Sequence, residues 1–455
     1  MSALVLLLLI TRIPPVWAAG DGWYEEGDFA PSVRVKIVLE NTLDFYRTEC
    51  PVTVPRGLFP IVNFGERDIT IVDPLLLPHP EPTKEDLLRF GGHLPLGEKN
   101  GSYIKYQLDD LDKDGIWDEL FFMTDIEAKS TKVIYAYIGF NNRGLYEHET
   151  HAGIANYGRH LTPWWESKVM GWKLWYPTDV DLYAKRDPML VASKEYTENL
   201  SGYHVPYEHG SDIMTVAGTF GAGGVCLFEQ SAYPDSVSRP RFGPYRTSGV
   251  LNERVLYSDP INDTRFSFDV VVNGPLRSMV MVRTMNWRTG AGVYELEQYY
   301  TAYSGKSYST CHVQYSTYLP DNSLTGLGCG IRKIMGEDDC IRRAGMVISI
   351  ARDEPLLDAN NETIDRQRLV LDFFAIALVV PERFRPEYRF VPVFGENHAF
   401  FIPATDGLSY EYLIAGAWSE GSVNAAEDAF VNYMETTARE YNDPVVVKAL
   451  ALETK

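Results

Sequence analysis

The sequence predicts an almost entirely β-sheet protein that ends in one amphipathic helix. Short segments that alternate polar with apolar residues, rich in β-branched and aromatic side chains, recur from residue 32 to residue 418. Turn-forming stretches such as Asn273-Gly274-Pro275 separate them. The chain has 455 residues, more than the ~250–300 at which a single hydrophobic core stops growing. We therefore expect two packed units.

The strands are predicted from alternation, and the helix from a different period. Between residues 424 and 441, Phe430, Val431, Met434 and Ala438 fall on one helical face, which predicts a helix over Asn424–Tyr441. The predicted strands are Ser32–Asn41, Tyr103–Leu108, Glu119–Ile126, Lys132–Phe140, Ile213–Phe220, Gly224–Glu229, Arg265–Asn273, Arg277–Trp287, Val293–Tyr303, Ser307–Tyr318, Gly345–Ala351, Arg368–Val380 and Tyr410–Trp418.

A polar stretch at residues 141–160 indicates the boundary between the two units. The first, residues 30–145, has the size of a small β-sandwich. The second, residues 150–447, is long enough for two large stacked antiparallel sheets and carries the helix.

The amino terminus predicts export. Ala3–Ile10 is an apolar run, and Val16-Trp17-Ala18 places small residues at the −3 and −1 positions of a cleavage site. We expect a signal peptide over residues 1–18 and a secreted or periplasmic protein. The run is well short of the ~20 apolar residues that a membrane span requires.

Charge and cysteine content exclude several classes of protein. With 42 Lys and Arg against 62 Asp and Glu, the net charge is −20, which repels nucleic-acid phosphates and anionic lipid surfaces. The five cysteines show no zinc spacing. Cys329 and Cys340 are the nearest candidates for a disulfide, although the pairing stays open. The 28 Tyr and 9 Trp suit both β-sheet surfaces and sugar-binding clefts.

An acidic loop predicts a calcium site. Asp110, Asp112, Asp114 and Asp118 occupy positions 1, 3, 5 and 9 of the loop, and Gly115 occupies position 6, as in the first half of a calcium-binding loop. Hard oxygen ligands at this density suit Ca²⁺ better than Zn²⁺. We expect a structural Ca²⁺ ion here; the alternative is a metal-free acidic turn between two strands.

Candidate site residues concentrate between residues 164 and 224. No Gly-x-Ser-x-Gly or His-Glu-x-x-His motif occurs in the chain, and no Gly-Lys-Ser/Thr lies within residues 164–224. Each residue alone is better explained by structure, but together their density indicates a site. The candidates in this region are Trp165, Glu166, Lys185, Arg186, Tyr203, His204, Tyr207, His209 and Asp212.

These segments and several later ones carry a resemblance. Trp165-Glu166-Ser167, Asp181–Arg186, Tyr203-His204, Gly210–Gly224, Val272–Arg277, Gly328–Lys333 and Ala415–Ser419 match in order. The chain resembles, over residues 32–447, a family of exported carbohydrate-active proteins known only by a domain of unknown function. The family is frequent in Bacteroidetes loci that degrade pectin and ulvan. One departure is Pro206, where the family usually has an acidic residue.

The resemblance implies a galactose-mutarotase-like β-supersandwich as the second unit. It also implies a lyase or dehydratase that acts on uronate-containing oligosaccharides, without an organic cofactor, nucleic acid or membrane partner. Two alternatives stay open: a glycoside hydrolase, with Glu166 and Asp212 as its carboxylates, and a glycan-binding protein without activity.

Elimination from a uronate assigns roles to the candidates. His204 would transfer the C5 proton, Tyr203 or Tyr207 would assist at the leaving oxygen, and Lys185 would stabilise the developing charge. We expect Lys185, Arg186, His204 and Arg277 to converge on one cleft. The predicted substrate-binding residues are Trp165, Glu166, Arg186, His209, Asp212 and Arg277.

Overall fold

The computed structural model describes most of the chain. The described residues are 22–26, 29–77, 100–140, 146–157, 160–175, 179–194, 208–213, 216, 219–230, 236–240, 246–248, 253–255, 264–321, 323–334, 336–353, 370–403 and 405–455. The predicted signal peptide, residues 1–18, lies outside them. Within this part of the chain, none of the helices has the length and apolar character needed to cross a membrane.

Twelve strands fall in the first half of the described chain. They are β1 (Val33–Asn41), β2 (Arg47–Pro55), β3 (Ile69–Asp73), β4 (Ser102–Tyr103), β5 (Tyr106–Asp109), β6 (Glu119–Ile126), β7 (Ser130–Ile138), β8 (Thr150–Tyr157), β9 (His160–Ser167), β10 (Met170–Trp175), β11 (Asp179–Lys185) and β12 (Gly210–Asp212).

The second half contains the remaining described strands and a 16-residue helix, α1 (Glu427–Asn442). The strands are β13 (Gly224–Phe228), β14 (Val237–Ser238), β15 (Arg246–Ser248), β16 (Glu253–Val255), β17 (Arg265–Asn273), β18 (Arg277–Thr289), β19 (Gly292–Tyr303), β20 (Tyr308–Pro320), β21 (Gly326–Arg332), β22 (Asp339–Arg343), β23 (Met346–Asp353), β24 (Val370–Val379), β25 (Glu387–Val391), β26 (Asn397–Ile402), β27 (Ser409–Trp418) and β28 (Val446–Thr454).

Two antiparallel sheets enclose a smaller core near the amino terminus. One has the strand order β28-β1-β7-β3-β4, and the other has the order β2-β6-β5. Because side chains alternate along a strand, β1 directs Val35, Ile37 and Leu39 into this core, where Val52 and Leu120 of the other sheet meet them.

Three further sheets enclose the larger core. An eight-stranded sheet has the order β17-β18-β19-β20-β27-β24-β23-β22, and the two five-stranded sheets have the orders β12-β11-β10-β9-β8 and β14-β13-β21-β26-β25. Trp165, Trp172, Leu182, Tyr300 and Tyr412 are fully buried between them. Helix α1 covers the other face of the eight-stranded sheet.

Much of the predicted fold is confirmed. The protein is mostly antiparallel β-sheet and has a helix near its end. This helix starts three residues later than predicted, at Glu427 instead of Asn424. Strands β6 and β17 have the predicted bounds. Strand β28 was not predicted; it follows the helix and pairs with β1, so the last strand lies in the same sheet as the first.

One predicted strand is wrong. The segment Ile213–Phe220 is not a strand in its described residues, because a turn closed by the Thr219 amide on the Val216 carbonyl (2.7 Å) leads into Gly221 at φ +60°. The disulfide pairing that the sequence left open has an answer in the structure: the five cysteines, all in the described part of the chain, are free thiols, Cys329 and Cys340 included.

Helix α1 should contribute strongly to stability through one buried aromatic residue. Phe430 is fully buried against the eight-stranded sheet. We expect Phe430→Ala to lower the free energy of unfolding by about 3–5 kcal/mol, since it leaves a cavity, as measured by urea denaturation. Val446→Ala, at a 38% exposed position, is the control and should change it by about 0.5 kcal/mol or less. Equal effects of the two variants would contradict the packing described.

Candidate functional site

The sheet β12-β11-β10-β9-β8 separates apolar from charged residues by strand alternation. Trp165, Trp172 and Leu182 point into the larger core. Their chain neighbours Glu166 and Lys173 point to the opposite face and are fully buried there as well. The sheet therefore carries charged groups on a face that is itself covered by protein.

Lys185 and Glu166 form a buried ion pair on this face. Both side chains are fully buried, and the Lys185 ammonium donates to the Glu166 carboxylate. Lys185 Nζ also donates to the backbone carbonyl oxygens of Ser167 (2.6 Å) and Met189 (2.9 Å). Its charge is therefore already matched within the protein.

The Glu166 carboxylate accepts further hydrogen bonds from the chain. The amides of Val191 and Ala192 each donate to it at 3.1 Å. His151 Nδ1 lies 3.9 Å away, and its ring packs edge-on against Trp164 at 4.9 Å between centroids. Burial lowers the pKa of His151 and outweighs the opposing effect of Glu166.

A second ion cluster lies beside the first. Lys173 Nζ contacts carboxylate oxygens of Asp181 (3.3 Å) and Asp212 (3.2 Å). Burial alone would lower the pKa of Lys173, but the two carboxylates raise it above its ordinary value. The lysine is thus held in its charged form.

These contacts bear on the two carboxylates considered for hydrolysis. Glu166 is paired with Lys185, and Asp212 is paired with Lys173. Both carboxylates are also buried. The structure therefore engages Glu166 and Asp212 with lysines inside the protein and does not present them to a substrate, as the two carboxylates of a glycoside hydrolase must be presented.

Partly exposed groups gather at the end of β11 and the start of β12. His209 Nδ1 lies 3.1 Å from Asp187 Oδ2; 17% of the His209 side chain and 57% of the Asp187 side chain are exposed. The backbone joins the two segments, since the Arg186 amide donates to the His209 carbonyl (2.8 Å). A carboxylate that binds one ring nitrogen fixes the orientation of the imidazole.

Arg186 extends this corner toward the end of β27. Its guanidinium lies 4.8 Å from the Trp418 ring centroid and donates to Glu420 (2.7 Å) and to the Gly210 carbonyl (3.1 Å). We call Arg186, Asp187, His209, Trp418 and Glu420 the β11–β12 corner. The sequence placed Arg186 and His209 in one site but did not find Asp187, Trp418 or Glu420 as their neighbours.

Two predicted substrate-binding residues lie elsewhere. Trp165 is fully buried and stacks on Tyr300 at 4.7 Å, so it belongs to the core rather than to an open cleft. Arg277 is held by Asp109 and Glu119 at 2.6 Å each. Burial would lower the Arg277 pKa, but these carboxylates raise it.

The structure therefore does not bring Arg277 and Lys185 together as the sequence predicted, because each is bound by a different set of carboxylates. Tyr203, His204 and Tyr207 lie outside the described residues.

The acidic loop joins β5 to β6. Ligand oxygens of Asp110, Asp112 and Asp118 lie within 4.8 Å of one another. The amides of Asp114 and Gly115 donate to Asp110 at 3.2 and 2.8 Å, and Gly115 has a φ of +86°. Asp114 itself accepts from the Ile116 amide (2.8 Å) and is not part of the three-carboxylate group.

A polar cavity that the sequence did not reveal lies between β5 and the β17–β18 turn. Its volume is about 300 Å³. Partial burial and the nearby Asp109 carboxylate raise the pKa of Glu66, which lines it. Its other lining residues are Tyr106, Gln107, Leu108, Asp109, Asp110, Tyr146, His148, Val271, Val272, Asn273, Gly274 and Pro275.

A family model for a domain of unknown function, DUF4861, matches residues 88–447. The chain belongs to this family. The resemblance found in the sequence, to a family known by a domain of unknown function, is confirmed to that extent. No curated protein matches the chain.

Two solved structures from Enterococcus faecalis are similar to this DUF4861 protein. One is an alpha-mannosidase from strain V583 (11% identity, 93% of this chain, 46% of that chain, TM-score 0.45). The other is a protein in the Glycosyl Hydrolase Family 38 (10% identity, 93% and 48% coverage, TM-score 0.45). This chain thus spans about half the length of each.

The buried ion pair gives a prediction for stability. Lys185→Met leaves Glu166 charged, buried and without its cation, so we expect a loss of about 3–5 kcal/mol in the free energy of unfolding by urea denaturation. Lys168→Met is the matched control: Lys168 pairs with Glu147, which is 77% exposed, and such pairs contribute about 0–1 kcal/mol.

The double variant Glu166→Gln/Lys185→Met separates the pair from the packing around it. It should lose less than the two single variants added together, since no unpaired charge remains. A Lys185→Met protein as stable as the Lys168→Met control would contradict the role of the ion pair.

Proposed function

We propose that this protein acts on carbohydrate, and that it removes the C5 proton and the C4 leaving group of a uronic acid residue at the β11–β12 corner. The observation that carries the proposal is the partly exposed His209–Asp187 pair beside a guanidinium and a tryptophan. Elimination next to a sugar carboxylate requires a proton-transfer group and a cation that stabilises the developing charge; the corner supplies an oriented imidazole and a guanidinium, which the buried Trp418 supports.

The roles follow the chemistry of the groups. Arg186 binds the uronate carboxylate, and Trp418 supports the cation from behind. His204 transfers the C5 proton, as the sequence predicts, and Tyr203 or Tyr207 donates to the leaving oxygen. His209 binds the substrate in an orientation that Asp187 fixes. The buried Lys185 stabilises this end of β11 through its contacts with Glu166 and the neighbouring backbone.

The remaining expectations form part of the same proposal. The β12-β11-β10-β9-β8 sheet and the eight-stranded sheet belong to a galactose-mutarotase-like supersandwich over residues 150–447, and residues 30–145 form a smaller β domain. The protein is exported through residues 1–18. Its partner is an oligosaccharide that contains uronate.

Glycoside hydrolysis is the second candidate, favoured by the cavity beside β5. Burial and the Asp109 carboxylate raise the pKa of Glu66, and burial raises the pKa of Asp109 as well. Glycoside hydrolysis uses two carboxyl groups at one site, one of them as the proton donor. The two candidates use different residues, so variants distinguish them.

Incubation with uronate oligosaccharides that contain no carbon–carbon double bond tests the reaction. We expect ultraviolet absorbance to rise, because elimination gives a 4,5-unsaturated uronate; new reducing ends accompany it where the C4 leaving group is a sugar and are absent where it is water. If the protein instead released new reducing ends with no rise in absorbance, and the Glu66→Gln variant did not release them, hydrolysis at the cavity would be established. Binding measured by calorimetry with neither product would contradict both reactions.

Substitution of the two histidines tests their roles. We expect His204→Ala to lower turnover about 10²–10⁴-fold, the usual cost of losing a positioned acid–base group. His209→Ala should mainly raise KM, since it removes a binding group. His151→Ala, on the face that holds Glu166, is the control and should keep normal kinetics. Near-normal turnover of a folded His204→Ala protein would rule out His204 as the proton-transfer residue, and His209 would become the next candidate.

We also propose that Ca²⁺ binds the loop of Asp110, Asp112, Asp114 and Asp118 and stabilises the β5–β6 hairpin. An ion that binds only the folded state raises stability by mass action. Excess chelator should therefore lower the Tm of the protein, and Ca²⁺ should restore it. Asp112→Asn should remove that dependence. A Tm indifferent to chelator and to added Ca²⁺ would show that the loop is an acidic turn.

A further inference from the structure

A second group of potential metal ligands lies where two sheets end. Strand β22 is the outermost strand of the eight-stranded sheet, and β25 is the outermost strand of the sheet that also contains β26. Cys340 lies on β22, His398 on β26, and Glu337 just before β22. Glu337 and Cys340, three residues apart, meet His398 of the other sheet, which lies 58 residues beyond Cys340 along the chain.

The potential ligand atoms converge on one ring nitrogen. His398 Nε2 lies 2.7 Å from Glu337 Oε2 and 3.8 Å from Cys340 Sγ. One ligand atom from each residue lies within 4.8 Å of the other two. The side chains of His398 and Glu337 are 4% and 9% exposed, and Cys340 is half-buried. The group is enclosed on most sides but reachable from the Cys340 side.

The surroundings already orient two of the three groups. Tyr388 Oη lies 2.9 Å from His398 Nδ1, and the Ser349 hydroxyl donates to Glu337. A metal-binding histidine commonly uses its second ring nitrogen to hydrogen-bond a neighbour, which fixes its tautomer. In the structure His398 Nε2 and Glu337 share a hydrogen bond of 2.7 Å; a metal that replaces this proton would take the Nε2 lone pair, with Nδ1–H donating to the Tyr388 oxygen.

We propose that Glu337, Cys340 and His398 bind Zn²⁺, which joins the edges of the two sheets. Thiolate, imidazole and carboxylate are the three ligand types that zinc takes in proteins. The thiol sulfur selects zinc over Ca²⁺ or Mg²⁺, which prefer oxygen. Three protein ligands leave the fourth tetrahedral position for solvent.

Two separations can be compared with those of a zinc site. Zinc bonds of about 2.3 Å to sulfur and about 2.0–2.1 Å to nitrogen imply a sulfur–nitrogen separation near 3.6 Å in a tetrahedron, against the 3.8 Å found. The Nε2–Oε2 separation must open from 2.7 Å to about 3.4 Å, because the ion replaces the shared proton. Both the Glu337 side chain, which is on a loop, and the Cys340 side chain must rotate, because Sγ lies nearly equidistant from the two ring nitrogens and an ion bound to Nε2 lies in the ring plane.

A cysteine–histidine–glutamate nucleophile is a different use of the same residues, and the geometry opposes it. Cys340 Sγ is nearly equidistant from the two ring nitrogens, at 3.8 and 3.9 Å, so it lies over the ring instead of in line with one nitrogen. Both nitrogens are already engaged, by Glu337 and Tyr388. A base must have a free nitrogen directed at the nucleophile.

Cobalt and zinc binding to the full chain test the proposal. After metal removal with chelator and desalting, one equivalent of Co²⁺ should give a thiolate-to-cobalt charge-transfer band and tetrahedral visible bands, which one equivalent of Zn²⁺ abolishes. Zn²⁺ should also raise the Tm. Tyr388→Phe should weaken Zn²⁺ binding about 10–100-fold, the usual cost of removing a neighbour that orients a ligand.

Variants identify the ligands and separate this site from the acidic loop. Cys340→Ser should lose the charge-transfer band, and His398→Gln and Glu337→Gln should lose tight Zn²⁺ binding. His312→Gln, at a histidine whose ring contacts Ser409, and Asp112→Asn should keep both. If His398→Gln fails to fold, the test rests on whether the charge-transfer band appears in the wild-type protein and is lost in Cys340→Ser. A folded wild-type protein without the band, or a band that survives in Cys340→Ser, would overturn the proposal.

Discussion

The constraint on which this structure most depends is the burial of lysines on a sheet face. Lys185 and Lys173 are fully buried on the β12-β11-β10-β9-β8 sheet, and removing a charge from water costs several kcal/mol unless partners replace the lost solvation. Glu166, Asp181 and Asp212 provide those partners. Each carboxylate is on a different strand from its lysine, so the pairs fix the register of the strands as well as the charges. The end of β11, and hence Arg186 and Asp187, is held in place by this network.

The same principle joins the smaller core to the larger one. Arg277, at the start of β18, is enclosed by Asp109 and Glu119 from β5 and β6, and its guanidinium lies 4.5 Å from the Phe121 ring centroid. A guanidinium with two carboxylates and an aromatic face has little left to offer a ligand. The position of Arg277 directly after the turn Asn273-Gly274-Pro275 therefore serves the packing of one sheet against another. The pairing of β28 with β1 adds a second link, made by backbone hydrogen bonds.

Sequence reasoning found many of the strands, including β13 and β27, which are buried on both faces, but it misread the charged residues of β9, β10 and β11. Strands β6 and β17 were predicted to the residue. In β9 and β10, Trp165 alternates with Glu166 and Trp172 with Lys173, yet the charges suggested a binding surface, because nothing local indicates that a charge will be buried and paired. Trp418 and Glu420 were beyond prediction for another reason: they are more than 200 residues from Arg186 in sequence, and only sheet pairing brings them together.

The pairing of Arg186 with Glu420 constrains how the corner can receive an anion. The protein has a net charge of −20, so long-range attraction does not bring a uronate to it, and a local cation must do so. That cation already holds a carboxylate at 2.7 Å. A uronate would therefore exchange with Glu420 on the guanidinium, which costs less than desolvating an unpaired arginine, since one carboxylate replaces another. Glu420 is 41% exposed and can turn to solvent. The ion pair thus keeps Arg186 extended over Trp418 in the geometry that a carboxylate ligand would meet.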